Sequence, residues 1–274
     1  MTTLSANPEA PSEAARPARP AREVPSRIPF TRVLRVELVK MFDTRSGFWL
    51  MVGIAASALI ATGAVIAFAP DDQIVYDNFG AAVGVPMVFL LPVMAILSVT
   101  SEWSQRSGLT TFTLVPHRGR VLAAKAVVSI AIGAVSIAVA LAIGALGNVV
   151  GAGIAGVDPV WDITLSQALT LGLANVLNLR VGFMLGLLIR NSPGAVVGYF
   201  VYGFVLPPLT MLLAQLNDWW EDKQPWLDFN YASGPLYDGE IGGTEWAQLA
   251  VAGSIWLVLP LAIGLFLVRR AEVK

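Results

Sequence analysis

Apolar residues gather into six long runs, at about 48–69, 80–100, 123–150, 164–189, 194–216 and 247–268. A helix needs about 20 mostly apolar residues to cross a roughly 30 Å hydrocarbon core, and each run reaches that length. Spanning sheets show alternating segments of about ten residues, whereas these runs are continuous and rich in Ala, Gly, Leu and Val. The pattern predicts an all-α integral membrane protein with six transmembrane helices.

Ahead of the first run, residues 32–45 follow a helical period. A wheel gathers Leu34, Leu38, Met41 and Phe42 on one side and Arg32, Arg35, Lys40 and Asp43 on the other, with Val36 and Val39 blurring the polar face. Such a helix lies in the membrane interface. Between the second and third runs stands a polar insert, Thr100 to Lys125 (TSEWSQRSGLTTFTLVPHRGRVLAAK), which holds the one histidine, His117. Its stretch SGLTTFTLV continues as a short amphipathic helix with Leu109, Phe112 and Val115 near one face. That helix either rests on lipid headgroups or presents itself to a cytoplasmic partner.

Composition sharpens the class. A mean hydropathy of +0.67, with 55% hydrophobic and 14% charged residues, excludes an ordinary soluble domain. There is no cysteine, which removes disulfides, thiolate metal sites and a cysteine nucleophile. Residues 1–30 are rich in Pro, Ala and Arg and lack the apolar centre of a signal peptide. They read as a disordered cytoplasmic tail, followed by one transmembrane domain over 31–274.

The formal net charge is only −1, yet the charges separate by loop. The segment before the first run, the stretch from Arg106 to Lys125, the turn at Arg190 and the C-terminus together hold sixteen of the eighteen Lys and Arg residues. The opposite loops carry Asp71, Asp72, Asp77, Asp158, Asp162 and a series from Asp218 to Glu245, with Lys223 as their one cation. Cytoplasmic loops retain Lys and Arg. Both termini are therefore expected in the cytoplasm, as an even number of spans requires.

The order E-x-x-x-R-x-G-x-T-T-x-x-L-x-P-x-R-x-R-x-x-x-A-K runs from Glu102 through Arg106, Gly108, Thr110, Thr111, Leu114, Pro116, Arg118 and Arg120 to Lys125. It resembles the loop between the second and third spans of ABC type-2 export permeases. Upstream, RVLRVELVKMFDTRSGFWL is similar to their elbow helix, with Arg35, Glu37, Lys40, Thr44 and Arg45 among its polar positions. Downstream, GLLIRNSPGAVVGYFV resembles their exit from the fourth span. The likeness covers about Arg32 to Arg270.

This resemblance implies a type V, ABCG-like exporter fold, with a second permease copy or close homologue and two ABC ATPase subunits per complex. Each ATPase grips the loop at 101–122, so Glu102, Arg106, Leu109, Thr110, Thr111, Phe112, Pro116, Arg118 and Arg120 become the expected coupling residues. The chain has no G-x-x-x-x-G-K-[ST] phosphate loop. It therefore carries no cofactor and is no enzyme itself; ATP and Mg belong to the partner ATPase. The surroundings are a lipid bilayer, the bacterial plasma membrane, with no role for nucleic acid.

Within the spans, small residues at helical spacing suit close packing: Ser136, Ala140, Gly144 and Asn148 in the third, and Gly182 and Gly186 below Asn175 and Asn178 in the fourth. These positions serve either packing or substrate contact. Arg180 lies ten residues before Arg190, roughly 15 Å at 1.5 Å per residue. An arginine there costs on the order of 3 kcal/mol, so it either binds an anionic group of a substrate or pairs internally. Pro86, Pro92 and Pro207-Pro208 should kink their spans. The aromatic-rich segment 217–245 suits one or two short helices or a re-entrant piece at the outer face.

The expected function is the permease subunit of an ATP-driven exporter, moving an amphiphile such as a drug, natural product, peptide or lipid by alternating access. A non-ABC membrane scaffold or a secondary transporter is the alternative, though ion coupling usually uses a buried carboxylate and no run holds one mid-span. An intramembrane enzyme needs facing ionisable groups; His117 lies in a loop and no H-E-x-x-H occurs.

Overall fold

In lipid every backbone polar group must be satisfied within the protein, and a continuous apolar run does this by coiling. The computed structural model describes residues 28–104, 118–239 and 241–270. Helices make up 89% of them and no strand forms among them; Val75 and Val160 meet in an isolated parallel bridge.

Six helices are long and apolar enough to cross a membrane: Arg45–Phe68, Tyr76–Ser101, Gly119–Ala155, Leu165–Ile189, Ser192–Leu216 and Gly243–Val268. This is the architecture of a multi-pass membrane protein. Each span begins or ends a few residues beyond its apolar run, because helices continue into the polar layer until a cap stops them. Thr44 caps the first span by accepting from the Gly47 N–H at 3.1 Å, and Thr164 caps the fourth through Gln167. An additional helix, Phe30–Asp43, precedes the first span. The tail at 1–27 lies outside the described residues.

The second span is central, packing on the first, third and fourth. Glycines allow the closest approaches. A Cβ at Gly182 would sit 2.5 Å from the Pro92 carbonyl oxygen, and one at Gly144 would sit 3.4 Å from the Gly80 nitrogen. Spans two, three and four thus meet through the small residues that the sequence spaced for packing.

Fourth and fifth spans turn back sharply through Arg190, whose φ of 54° closes the fourth helix in the left-handed region. Asn191 then caps the fifth, and Pro193 occupies its first turn. In the fifth and sixth spans the helix widens to a π turn at Val201–Val205 and Ser254–Val258. Pro207-Pro208 and Pro260 follow two residues later, so the widened turns accommodate rings that a regular helix would clash with.

Half of the fourth span's apolar window is buried against 6% of the fifth's; the fifth packs on the bundle through Ala195 and Tyr199 and leaves an exposed side, Leu209 and Leu212 included, to lipid or to another chain. Beyond it three short helices, Asp218–Leu227, Phe229–Ser233 and Pro235–Asp238, cover one end of the bundle. Indole N–H groups pin this cover: Trp220 donates to the Thr210 carbonyl at 3.1 Å and Trp256 to the Leu227 carbonyl at 2.6 Å.

Candidate functional site

The helix Phe30–Asp43 turns Val33, Glu37 and Met41, four residues apart, into the protein. A carboxylate at the centre of a buried face is costly unless paired. Its partner comes from the third span: Lys125 Nζ lies 2.5 Å from Glu37 Oε2, with both side chains 3% exposed. Lys125 also donates to the Ser98 carbonyl of the second span at 2.9 Å, and Lys40 reaches the other Glu37 oxygen at 2.9 Å. Five residues before Lys125, the Arg120 guanidinium donates to the Ile28 carbonyl at 2.9 Å. The leading helix is therefore fastened at its start and its middle to the first turns of the third span.

This geometry adds a protein-facing side, Val33, Glu37 and Met41, to the wheel expected for the leading helix. Leu38 and Phe42 are exposed and only Met41 of the expected apolar side is fully buried, with Leu34 half-buried. Hydropathy scores Glu37 as polar, but paired to Lys125 it behaves as an interior residue. Arg35 and Arg45 are exposed.

Of the expected coupling residues, Glu102 falls in the last turns of the second-span helix, Tyr76–Ser104, and Arg118 opens the third, Arg118–Ala155. Arg106, Leu109, Thr110, Thr111, Phe112 and Pro116, with the expected short helix, lie outside the described residues. The helices that bracket them are those tied together by Glu37, Lys125 and Ser98.

A second polar group lies deeper. Pro92 has no N–H, so the Val88 carbonyl one turn earlier loses its helical donor. Asn178 Nδ2 donates to it at 2.7 Å and the Tyr199 hydroxyl at 2.7 Å, while Tyr199 also lies 3.2 Å from Asn178 Oδ1. Asn178 thus repairs the backbone of a neighbouring span. Asn175 bonds its own helix at the Leu171 carbonyl, 3.1 Å away. Asn148 donates to the Val160 carbonyl at 2.8 Å and leaves its own oxygen unpaired in the buried interior.

Arg180 is half-buried between the third and fourth spans. Its guanidinium donates to the Ala126 carbonyl and lies 5.4 Å from the centroid of the Phe183 ring, a cation–π contact. Among the described residues no carboxylate pairs with it. Ala126 directly follows Lys125, so the side chain reaches back toward the end of the bundle that carries the leading helix.

Lys125 and Tyr199 are the members of these two polar groups whose partners residue patterns miss. The motif ends on Lys125, but its partner is 88 residues away. Tyr199 had one usable signal: a proline within a span frees a carbonyl four residues earlier, and some facing polar group must take it up.

Fold and site together define a helical, multi-pass membrane protein with a buried charge cluster at one end of its bundle. No family model matches the chain, and no curated protein matches it.

Proposed function

We propose that the chain is the permease subunit of an ATP-binding cassette exporter of the type V, ABCG-like class. It moves an amphiphilic substrate by alternating access, driven by separate ATPase subunits that bind ATP and Mg. The observation that carries this reading is the fastening of the leading helix to the third span by Glu37–Lys125 and Arg120–Ile28, where the loop at 101–122 enters that span, with Lys125 also held to Ser98 ahead of the loop. A force applied to that loop reaches three elements at once: the second span through Ser98, the third through Lys125 and the interfacial helix through Glu37. A closing ATPase pair can shift such a unit as a rigid body.

In this reading the leading helix is the elbow, and the cation-rich end with both termini faces the cytoplasm of a bacterial cell. Cations around the loop orient the ATPase more than they strengthen its grip. The exposed wall of the fifth span is available to a second permease copy or close homologue, and the short helices after it form the outer cover. Asn178, Asn175 and Arg180 act in packing, since each has a partner within the protein.

Co-purification tests the reading. Gly-Ser replacement of 109–115 should abolish retention of the ATPase while the permease remains inserted and folded. Undiminished retention by that variant contradicts the assignment of the loop.

A further inference from the structure

Arg180 has more hydrogen-bonding capacity than the protein uses. A guanidinium carries five N–H donors. Among the described residues its partners are the Ala126 carbonyl and the face of the Phe183 ring. That carbonyl is itself shared, since it takes the helical N–H of Ile130 and the Ser129 hydroxyl at 3.0 Å, against two lone pairs. The side chain is only half-buried. None of its remaining nitrogens is sealed inside, where among the described residues only Thr62 Oγ1 and Asn148 Oδ1 stand without a partner. Arg180 therefore offers N–H groups to whatever covers the bundle at the seam of the third and fourth spans.

That cover is lipid. Val127 and Ile130, beside and one turn beyond Ala126 on the third span, are 46% and 43% exposed, so acyl chains lie against them. A guanidinium turned to hydrocarbon is costly unless something pairs with it, and no carboxylate of the described residues does. Its level in the bundle indicates the partner. Ala126 follows Lys125, whose ammonium is held by Glu37 of the leading helix and by the Ser98 carbonyl. The arginine thus reaches back from the apolar middle of its span toward a polar end, as long cationic side chains do. At that level a phosphate group is the matching anion, because a guanidinium meets two of its oxygens with parallel N–H donors.

We propose that Arg180 holds the phosphodiester of an anionic phospholipid, seated at the seam of the third and fourth spans from the leaflet that this end of the bundle faces. The exposed Val127 and Ile130 distinguish a lipid from inorganic phosphate, since they give its acyl chains an apolar wall beside the guanidinium. A headgroup of net negative charge fits better than a zwitterionic one, because among the described residues no acid balances Arg180. Basic positions between membrane helices hold anionic headgroups in this way. This does not depend on the transport reading.

The test uses the intact chain in nanodiscs of equimolar phosphatidylglycerol and phosphatidylcholine, released into detergent for native mass spectrometry of the retained lipid. Phosphatidylglycerol should be retained in preference. Arg180→Met should lower that preference about fivefold. Ile130→Glu keeps the arginine but sets a carboxylate one turn from Ala126, and should lower the preference as well, whereas Ile130→Gln should retain it. Arg32→Ala, which makes the same change in net charge at an exposed position of the leading helix, should also retain it. Retention untouched by Arg180→Met overturns the proposal. Equal losses in Arg180→Met and Arg32→Ala mean diffuse attraction and overturn it, as do equal losses in Ile130→Glu and Ile130→Gln. Displacement of the lipid by millimolar inorganic phosphate assigns the guanidinium to free phosphate and overturns it too.

Discussion

Glu37 and Lys125 form an ion pair at 2.5 Å with both side chains 3% exposed, joining the leading helix to the third span across 88 residues of sequence. Breaking a buried pair from one side strands a charge, at about 3–5 kcal/mol. The two halves are not equivalent. Lys125→Met leaves Glu37 with Lys40 at 2.9 Å, whereas Glu37→Met takes the carboxylate from a buried ammonium. Glu37→Met should therefore be the more damaging, and Glu37→Met/Lys125→Met should recover most of the loss. Thermal unfolding in detergent reads all three; additive losses in the double variant contradict the pairing.

The Val88 carbonyl, freed by Pro92, accepts from both Asn178 and Tyr199. Either donor suffices for one carbonyl, so Asn178→Leu and Tyr199→Phe should each cost about 0.5–1 kcal/mol. Losing both leaves the carbonyl unpaired and should cost more than the sum. Adding Pro92→Ala, which restores the helical N–H, should cancel that excess. A double-mutant cycle measures the coupling, and simple additivity would falsify the repair.

For Arg180 the expected outcome runs against its charge. Ser129 also donates to the Ala126 carbonyl, at 3.0 Å, so that oxygen keeps a partner when the guanidinium is removed. An arginine within a span carries a cost on the order of 3 kcal/mol that methionine does not. Arg180→Met should equal or exceed the parent in folded yield and melting temperature. A sharp fall in yield would show instead that the guanidinium holds a partner the bundle requires.

Gly182→Ala forces a Cβ against the backbone and ring of Pro92, at 2.5 and 2.8 Å. Overpacking of this kind costs about 1–3 kcal/mol. Gly172→Ala is the control, since its Cβ meets only Ile137 at 3.8 Å, and the better helix former should leave stability unchanged or raise it by up to about 1 kcal/mol. Equal melting temperatures for the two variants would contradict the close approach of spans two and four.

Much of the fold is legible in the residues and much of the site is not. Span number follows from run length, because each helix satisfies its own backbone and needs no partner to be recognised. The Gly144 and Gly182 contacts follow from small residues on a helical period. Helix ends were less accurate, since Thr44, Thr164 and Asn191 act through capping geometry that hydropathy ignores. The side of the leading helix that packs on the protein is not legible in its period. Whether Glu37 points outward or inward depends on a lysine supplied by another element, and no local period contains that information. Asn178 likewise reads as a candidate ligand until Pro92 is found opposite it.

The central claim is that the loop at 101–122 docks on an ATP-hydrolysing polypeptide. Because the chain has no cysteine, a single photoreactive label can be placed through Phe112→Cys and activated in membranes from the native cell. The expected adduct is a protein bearing the G-x-x-x-x-G-K-[ST] phosphate loop, obtained from Phe112→Cys but not from Leu216→Cys on the fifth span. Adducts to lipid alone at Phe112→Cys, in a chain that is folded and inserted, would contradict it.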